Sequence, residues 1–197
     1  KSENRFLVIG IGASAGGLDG FRKIIKGIER DSGMAYILVQ HHQPEHESLL
    51  PEILQKISKI PVLEIRDNME VVPDHIYIIP SDKLLIETDG ILKLGKRPGH
   101  RRKNKAIDVF FSSLAEVHGG ESIGILLSGK DEDGTQGLHA IKAHGGLTMV
   151  QDLQSALFTT MPEHAIQAGV VDMVISPEQI PYQLSQIKHA LEDSRGK

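Results

Sequence analysis

Residues that can carry out hydrolytic chemistry follow three separate apolar segments of this sequence. Ser14 comes after the first of these segments, and His41 and His42 come after the second. Asp131 and Asp133 follow a long apolar segment in the second half of the chain. A hydroxyl, an imidazole and a carboxylate that converge can perform acyl transfer, because the imidazole takes the serine proton and the carboxylate orients the imidazole. These residue types favour a serine hydrolase, provided that the fold brings the segment ends together.

The elements that must position these groups alternate between strands and helices. Unalternating apolar runs predict strands of a parallel sheet, and runs with helical periodicity predict the helices between them. The predicted strands span residues 6–9, 36–40, 62–65, 76–79, 122–127, 147–150 and 171–175, the predicted helices span 18–28, 48–57, 107–114, 138–143, 162–168 and 180–191, and a β-hairpin is predicted over 83–94. We therefore expect residues 1–197 to form one α/β domain with a doubly wound, mostly parallel sheet, helices on both faces and one antiparallel β-hairpin. Ligands of such sheets bind beyond the carboxyl ends of the strands, where the serine, histidine and aspartate would meet.

The glycine-rich stretch at 10–17, which we expect to form a tight turn, fits two different mechanisms. Gly10, Gly12 and Ala15 match the dinucleotide fingerprint G-x-G-x-x-G/A, in which backbone amides hold a phosphate. Gly12, Ser14 and Gly16 match the nucleophile elbow G-x-S-x-G. The dinucleotide interpretation requires an acid about 20 residues later, at the end of the second strand, but the chain has glutamine and histidine there. An ordinary α/β-hydrolase is also disfavoured, because its order of serine, acid and histidine differs from the order here.

Each of these residues also has a simpler interpretation. Ser14 could cap the N-terminus of the following helix. The histidines could be solvated loop residues or, together with His46, part of a metal site, although a third strong ligand is not evident. Asp131 and Asp133 could be turn residues. The convergence of all three chemical groups at one sheet edge is what favours catalysis over these alternatives.

The composition excludes several classes of protein. With 40% hydrophobic and 24% charged residues, the chain is typical of a folded globular protein. It has no cysteine, which excludes disulfides and thiolate chemistry and fits a reducing cytoplasm. Its net charge of -4 argues against a general nucleic-acid binder, and it has no apolar run long enough to span a membrane.

A basic loop spans residues 96–105 and has six Lys or Arg residues among ten. It is either a solvated loop or a docking rim for an acidic partner, with attraction between opposite charges speeding the encounter. The sequence leaves both interpretations open.

Several motifs, in order along the chain, resemble the catalytic domain of the CheB family of chemotaxis receptor methylesterases. The matching stretches are IGASAGGLDGF, VQHHQPEHESLL, VVPDHIYIIP, IDVFFSSLAE, LLSGKDEDGTQGLHAIKAHGG and MPEHAIQAGVVD, which together extend over about residues 6 to 191. The version found in hybrids of CheB with the receptor methyltransferase CheR is the most similar. Each motif alone is weak, but their common order is specific.

The resemblance implies a function and a role for each site residue. Ser14 would be the nucleophile, His41 the general base and acid, and Asp133 the orienting carboxylate, while the backbone at Lys130 and Ala15 would lie near the oxyanion. The family hydrolyses glutamate γ-methyl esters on chemoreceptor helices and can deamidate particular glutamines, with no metal or cofactor. The expected partners are a methylated chemoreceptor or receptor-like protein and a fused methyltransferase domain; nucleic acid and membrane insertion are not expected, and the expected location is the cytoplasm.

The sequence departs from the family pattern at three places, and the first of them keeps an alternative open. The usual Gly-Met-Gly or Gly-Thr-Gly before the catalytic aspartate is replaced by Gly129-Lys130-Asp131, which adds a carboxylate beside the proposed site. The usual Arg-Pro-x-Val/Ile-Asp is replaced by residues 104–108, and Thr160 replaces a frequent glycine. The alternative is a catalytically degenerate esterase fold that serves as a partner-binding module.

Overall fold

The computed structural model describes residues 5–41, 49–80, 83–96 and 103–196. Within these ranges the chain forms ten strands and six α-helices. The strands are β1 (Val8–Ala13), β2 (Ala35–Gln40), β3 (Val62–Glu64), β4 (Met69–Glu70), β5 (Ile76–Ile78), β6 (Lys83–Thr88), β7 (Ile91–Lys96), β8 (Ser122–Leu126), β9 (Leu147–Gln151) and β10 (Met173–Ile175). The helices are α1 (Gly17–Lys26), α2 (Leu50–Gln55), α3 (Ala106–His118), α4 (Thr135–Ala143), α5 (Thr160–Gln167) and α6 (Ile180–Arg195). None of these helices has the length and apolar character that a membrane span requires.

Seven strands form a parallel sheet in the order β10-β9-β8-β1-β2-β5-β3. The strand order reverses at β1, because the chain first builds outward through β2 and later returns to place β8 on the other side. This arrangement confirms the predicted doubly wound α/β fold. It also puts the topological switch point, where ligands bind in such folds, between β1 and β8.

Helices cover both faces of the parallel sheet. Alternate residues of β1, such as Ile9 and Ile11, point to the face covered by α1, α2 and α6. The opposite face packs against α3, α4 and α5 through fully buried residues such as Phe110, Phe111 and Leu138. Two apolar layers therefore enclose the sheet, as expected for strands without polar alternation.

Gly10 and Gly12 belong to β1, so the prediction that the turn begins at residue 10 is wrong. Both glycines pair with β2 on one side and β8 on the other. A Cβ atom at Gly10 would lie 2.8 Å from Phe111, and one at Gly12 would lie 2.7 Å from Ile107. The missing side chains let α3 pack closely on the sheet, and this tertiary contact explains why residues typical of turns continue the strand.

The predicted hairpin is confirmed, and it belongs to a second sheet. Strands β6 and β7 pair antiparallel around Asp89 and Gly90, whose φ angles of 50° and 80° give the left-handed turn that Asp-Gly favours. The two-residue strand β4, which the sequence did not predict, pairs with the other edge of β7. Glu87 of β6 is buried against α3, where its carboxylate pairs with His118 and its amide donates to Ser113.

The remaining elements agree with the prediction to within a few residues. The second helix is shorter than the predicted 48–57, since α2 covers Leu50–Gln55, and β10 begins two residues later than predicted.

Candidate active site

The candidate nucleophile lies immediately after β1, at the switch point of the sheet. The Ser14 amide donates to the carbonyl of Ser128 at 2.9 Å, so the start of the turn is tied to the chain beyond β8. The Ser128 hydroxyl in turn donates to the carbonyl of Ala15 at 2.7 Å. Gly16 adopts φ 77°, a left-handed conformation that glycine tolerates best, and α1 begins at Gly17. These contacts hold Ser14 on a tight turn, with the residue 9% exposed.

His41 directly follows β2 and is held between two carboxylates. Its backbone amide donates to the carbonyl of Ala13 at 2.9 Å, which fixes it beside the end of β1. Its Nε2 donates to Oδ2 of Asp133, and its Nδ1 donates to Oδ2 of Asp131 at 2.8 Å. The sequence pointed to both aspartates but not to their simultaneous contact with one imidazole.

Asp133 is held by the N-terminus of α3. Its carboxylate accepts hydrogen bonds from the amides of Ile107 at 2.8 Å and Asp108 at 2.9 Å. These are among the amides that a helix leaves unpaired at its start, and the helix dipole there favours a negative charge. The Asp133 carboxylate is therefore buried, held by two backbone amides, and hydrogen-bonded to His41.

Asp108 binds the N-terminus of α4 in the same way, through its carboxylate. Its Oδ1 accepts from the amides of Gly134 at 2.9 Å and Gly137 at 2.8 Å, so Asp133 binds the N-terminus of α3 while Asp108, in the first turn of α3, binds the N-terminus of α4. Burial and the neighbouring charge of Asp133 raise the pKa of Asp108 to about 6, against the lowering effect of the two amides. The sequence resemblance contained Asp108 in a matching motif but gave it no role, and only the three-dimensional contacts identify this one.

The two carboxylates change the proton equilibrium of His41. Burial alone would lower its pKa, but the hydrogen bonds and charges of Asp131 and Asp133 outweigh burial and raise it to about 9. Burial likewise opposes ionisation of Asp131, yet hydrogen bonds from His41, from the Asp133 amide and from the Ser14 hydroxyl hold its pKa below the usual value. At neutral pH the resting site therefore contains an imidazolium between two carboxylates.

Ser14 and His41, both within the described part of the chain, are linked through Asp131 and make no direct hydrogen bond with each other. The proposed nucleophile and base thus lie at one corner of the sheet, with a carboxylate between them. Apo geometry of this kind does not exclude catalysis, because catalytic hydrogen bonds often form only when substrate binds.

Two backbone amides near Ser14 are available to a ligand. Within the described residues, neither the Ala15 nor the Lys130 amide donates a hydrogen bond to a protein group. The loop that carries Lys130 is anchored by Gly129, whose amide donates to the carbonyl of Phe158 at 3.1 Å. The Lys130 ammonium lies 4.2 Å from the centre of the Phe158 ring, a cation–π contact that keeps this side chain off the carboxylates.

A cavity of about 570 Å³ opens beside Asp131. Both basic and acidic side chains line its wall. The residues that line it include Lys103, Lys105, Lys130, Asp108, Asp131, Asp133, Thr160 and His164. The space is large enough to admit a side chain from another protein to the site.

Some sequence hypotheses fall outside the described ranges. His42 and His46 of the metal alternative, and Arg97–Arg102 of the basic loop, are not described. Among the residues that are described, no three His, Asp or Glu side chains are arranged to hold a metal ion.

Comparison with known proteins identifies consistent similarities. A family model described as CheB methylesterase matches residues 9–184. The chain is 36% identical over 173 residues to a protein of Leptospira interrogans, an alignment that covers 86% of this chain and 89% of that protein. It is 31% identical over 194 residues to the protein-glutamate methylesterase/protein-glutamine glutaminase of Pyrococcus horikoshii; the match covers 96% of this chain but 52% of that protein, so the chain spans about half its length.

A solved structure shares the fold. The catalytic domain of Thermotoga maritima CheB methylesterase superposes with a TM-score of 0.84 at 27% sequence identity. The match covers 92% of this chain and 98% of that domain.

Proposed function

The chain belongs to the CheB methylesterase family, and on that premise we propose that it hydrolyses γ-methyl esters of glutamate side chains on a chemoreceptor-like protein, releasing glutamate and methanol. The observation that carries this proposal is the position of Ser14 beside His41 and Asp133 at the switch point of the sheet. Deamidation of glutamine follows the same chemistry with ammonia as the leaving group, and the name of the Pyrococcus relative includes this activity.

The reaction we propose has two halves. In the first, Ser14 Oγ attacks the ester carbonyl carbon while His41 takes the hydroxyl proton, and His41 then gives that proton to the departing methoxide. In the second, a water molecule attacks the acyl-serine carbonyl carbon while His41 takes its proton, and His41 then returns that proton to Ser14 Oγ as the bond to serine breaks and the glutamate carboxyl group is released. Asp133 keeps the imidazole oriented and stabilises its charge throughout. Because Asp133 is itself held by two α3 amides, the orientation is built into the fold.

The oxyanion that forms at the carbonyl needs hydrogen-bond donors already in place. We assign the Ala15 and Lys130 amides to this role, since both lie on loops next to Ser14 and neither is used by another described residue. Loss of one such donor typically costs about 100- to 1000-fold in kcat.

The proposed partner is a methylated acidic surface. Lys103 and Lys105, the described end of the basic loop, line the cavity next to the site. Their charges would steer acidic receptor helices toward Ser14. Replacing both lysines with glutamate should lower kcat/KM and weaken its dependence on salt concentration. Unchanged kcat/KM at low salt would instead support the interpretation of the basic loop as a solvated segment.

The cytoplasmic location, the fused methyltransferase and the assignment of residues 1–197 to one catalytic domain belong to the same proposal. They rest on the sequence resemblance and on the absence of cysteine.

The test is methanol release from a methylated receptor. Ser14→Ala and His41→Ala should each reduce the rate by about 10⁴-fold or more, as for removal of other triad members. Ser194→Ala, an exposed serine on α6, is the matched control and should keep full activity. A fluorophosphonate reagent should label Ser14, as detected by mass spectrometry of its peptide. Full activity of both site variants, with no label on Ser14, would disprove the mechanism and favour a partner-binding module.

A further inference from the structure

We propose that Asp131 is a positioning residue that acts as a releasable latch on His41, holding its Nδ1 in the resting enzyme and leaving it when Ser14 is to be deprotonated. This inference rests on the proposed function, because it assigns His41 the role of base. Nothing in the comparisons with known proteins gives Asp131 a role.

The two carboxylates on His41 differ in how firmly they are held. The Asp133 side chain is 1% exposed and accepts two α3 amides in addition to the imidazole. The Asp131 side chain is 44% exposed, lines the cavity, and has one backbone contact of its own, from the Asp133 amide at 3.0 Å. Release of Asp131 into the cavity would exchange its contact with His41 for water, whereas release of Asp133 would leave buried amides unpaired.

Asp131 occupies the ring nitrogen that the reaction needs. His41 Nε2 is bonded to Asp133, so the serine proton can reach only Nδ1, and that atom donates to Asp131 in the resting structure. An imidazole with both nitrogens donating is protonated and has no lone pair for a proton. The Ser14 hydroxyl also lies near enough to the Asp131 carboxylate to help lower its pKa, so one side chain interacts with both the proposed nucleophile and the proposed base.

The charges around His41 reinforce this state. The loop after β8 contributes Asp131 and Asp133, the start of α3 contributes Asp108 behind Asp133, and the turn after β1 contributes only the neutral Ser14. The wall of the same cavity also carries Lys103, Lys105, Lys130 and His164. Lys130 lies over the Phe158 ring, and His164 faces Glu132 at 3.8 Å and the Thr135 hydroxyl at 2.8 Å.

The latch should set the pH dependence of the reaction. With a pKa of about 9, roughly 1% of His41 is neutral at pH 7, so kcat/KM of the wild type should rise about tenfold per pH unit until near pH 9. Asp131→Asn removes one carboxylate and should return the pKa toward the ordinary value near 6.5. The neutral fraction at pH 7 then rises by roughly 75-fold, while the weaker base is roughly 18-fold slower at a Brønsted coefficient of about 0.5. The variant should be about fourfold faster than wild type at pH 7 and about 16-fold slower at pH 10.

The experiment measures both the proton equilibrium and the rate. NMR titration of His41 in the inactive Ser14→Ala background should give a midpoint near 9. Adding Asp131→Asn, or Asp131→Gly as a second variant, should lower that midpoint by more than one unit. Glu132→Gln removes the adjacent carboxylate, which faces His164, and is the matched control that should leave the His41 midpoint unchanged.

The outcomes separate this inference from the proposed function. A His41 midpoint that does not move on Asp131→Asn and Asp131→Gly overturns the latch, whatever the enzyme hydrolyses. Ester hydrolysis profiles between pH 6 and 10 that run parallel for wild type and Asp131→Asn, without crossing, also overturn it. If the midpoint moves as expected but Ser14→Ala keeps full esterase activity, the proposed mechanism is rejected, while the effect of Asp131 on the pKa of His41 is still established.

Discussion

Gly12→Ala would test whether the close contact of α3 with β1 determines the geometry of the site. The added methyl would lie 2.7 Å from Cγ2 and 2.9 Å from Cδ1 of Ile107, in a fully buried position. Overpacking of this kind typically costs about 1 to 3 kcal/mol. Because the Ile107 amide donates to Asp133, a displaced α3 would also shift the carboxylate that orients His41. A shift of about 1 Å can reduce activity roughly 100-fold.

Urea unfolding of Gly12→Ala and a matched variant measures the packing cost. Gly95→Ala is the matched control, because Gly95 also lies in a strand but is exposed, and its added methyl would be 4.0 Å from Leu84. Both substitutions remove the same backbone entropy from the unfolded chain, so the difference between their free energies of unfolding reports the clash. We expect Gly12→Ala to be less stable than Gly95→Ala by about 1 to 3 kcal/mol, with a fall in methanol release of roughly 10- to 100-fold.

A double-mutant cycle locates the clash. Ile107→Ala removes all three atoms nearest to the new methyl, so the double variant should lose less stability than the sum of the single variants, by about 0.5 to 3 kcal/mol. Equal stability of Gly12→Ala and Gly95→Ala, or strict additivity in the cycle, would refute the close-packing account of these glycines.

Three further predictions concern the stability of the fold. Asp108→Asn keeps the Oδ1 acceptor but cannot ionise. Because the pKa of Asp108 is about 6 in the folded protein and near 3.8 in the unfolded chain, wild type should lose stability relative to this variant as the pH rises from about 4 to about 6. A difference in the free energy of urea unfolding that stays constant over this pH range would contradict the prediction. Gly16 and Gly169 both have a positive φ, but only at Gly16 would an added Cβ atom be crowded, by Ser128 Oγ at 2.8 Å. Calorimetry should therefore show a larger fall in melting temperature for Gly16→Ala than for Gly169→Ala. His118→Ala leaves Glu87 buried and should cost about 3 to 5 kcal/mol in urea unfolding, whereas replacing both with leucine should be near neutral; equal losses would argue against the buried pair.

The sequence predicts the parallel sheet because its strands are apolar without alternation. Since parallel strands end at the same edge of a sheet, the residues that follow different strands are then expected to lie close together. Ser14, His41 and Asp133 are placed near one another by topology alone. The start of the turn was predicted too early because glycine is a turn former by local propensity, and only the packing of α3 shows why Gly10 and Gly12 remain extended.

The contacts that tune the site were beyond sequence reasoning. Whether Asp131 reaches His41 depends on the path of a loop and on one side-chain rotamer, and neither leaves a periodic signal. The contacts of Asp108 with Gly134 and Gly137 join residues 26 and 29 positions apart. The strand β4 has two residues, which is too short for a hydrophobic pattern to define.

The binding of Asp133 to the N-terminus of α3 and of Asp108 to that of α4 has a consequence for motion in this enzyme. The amides of Ile107, Asp108, Gly134 and Gly137 are bound to the very carboxylates that stand behind His41. Hydrogen exchange at the Ile107 and Asp108 amides requires an opening that releases Asp133, the carboxylate bonded to His41, and exchange at the Gly134 and Gly137 amides requires release of Asp108 beside it. The protection of these amides against deuterium exchange would therefore report how often the group of side chains around His41 opens, so that a backbone measurement gives the fraction of time in which the site is not assembled.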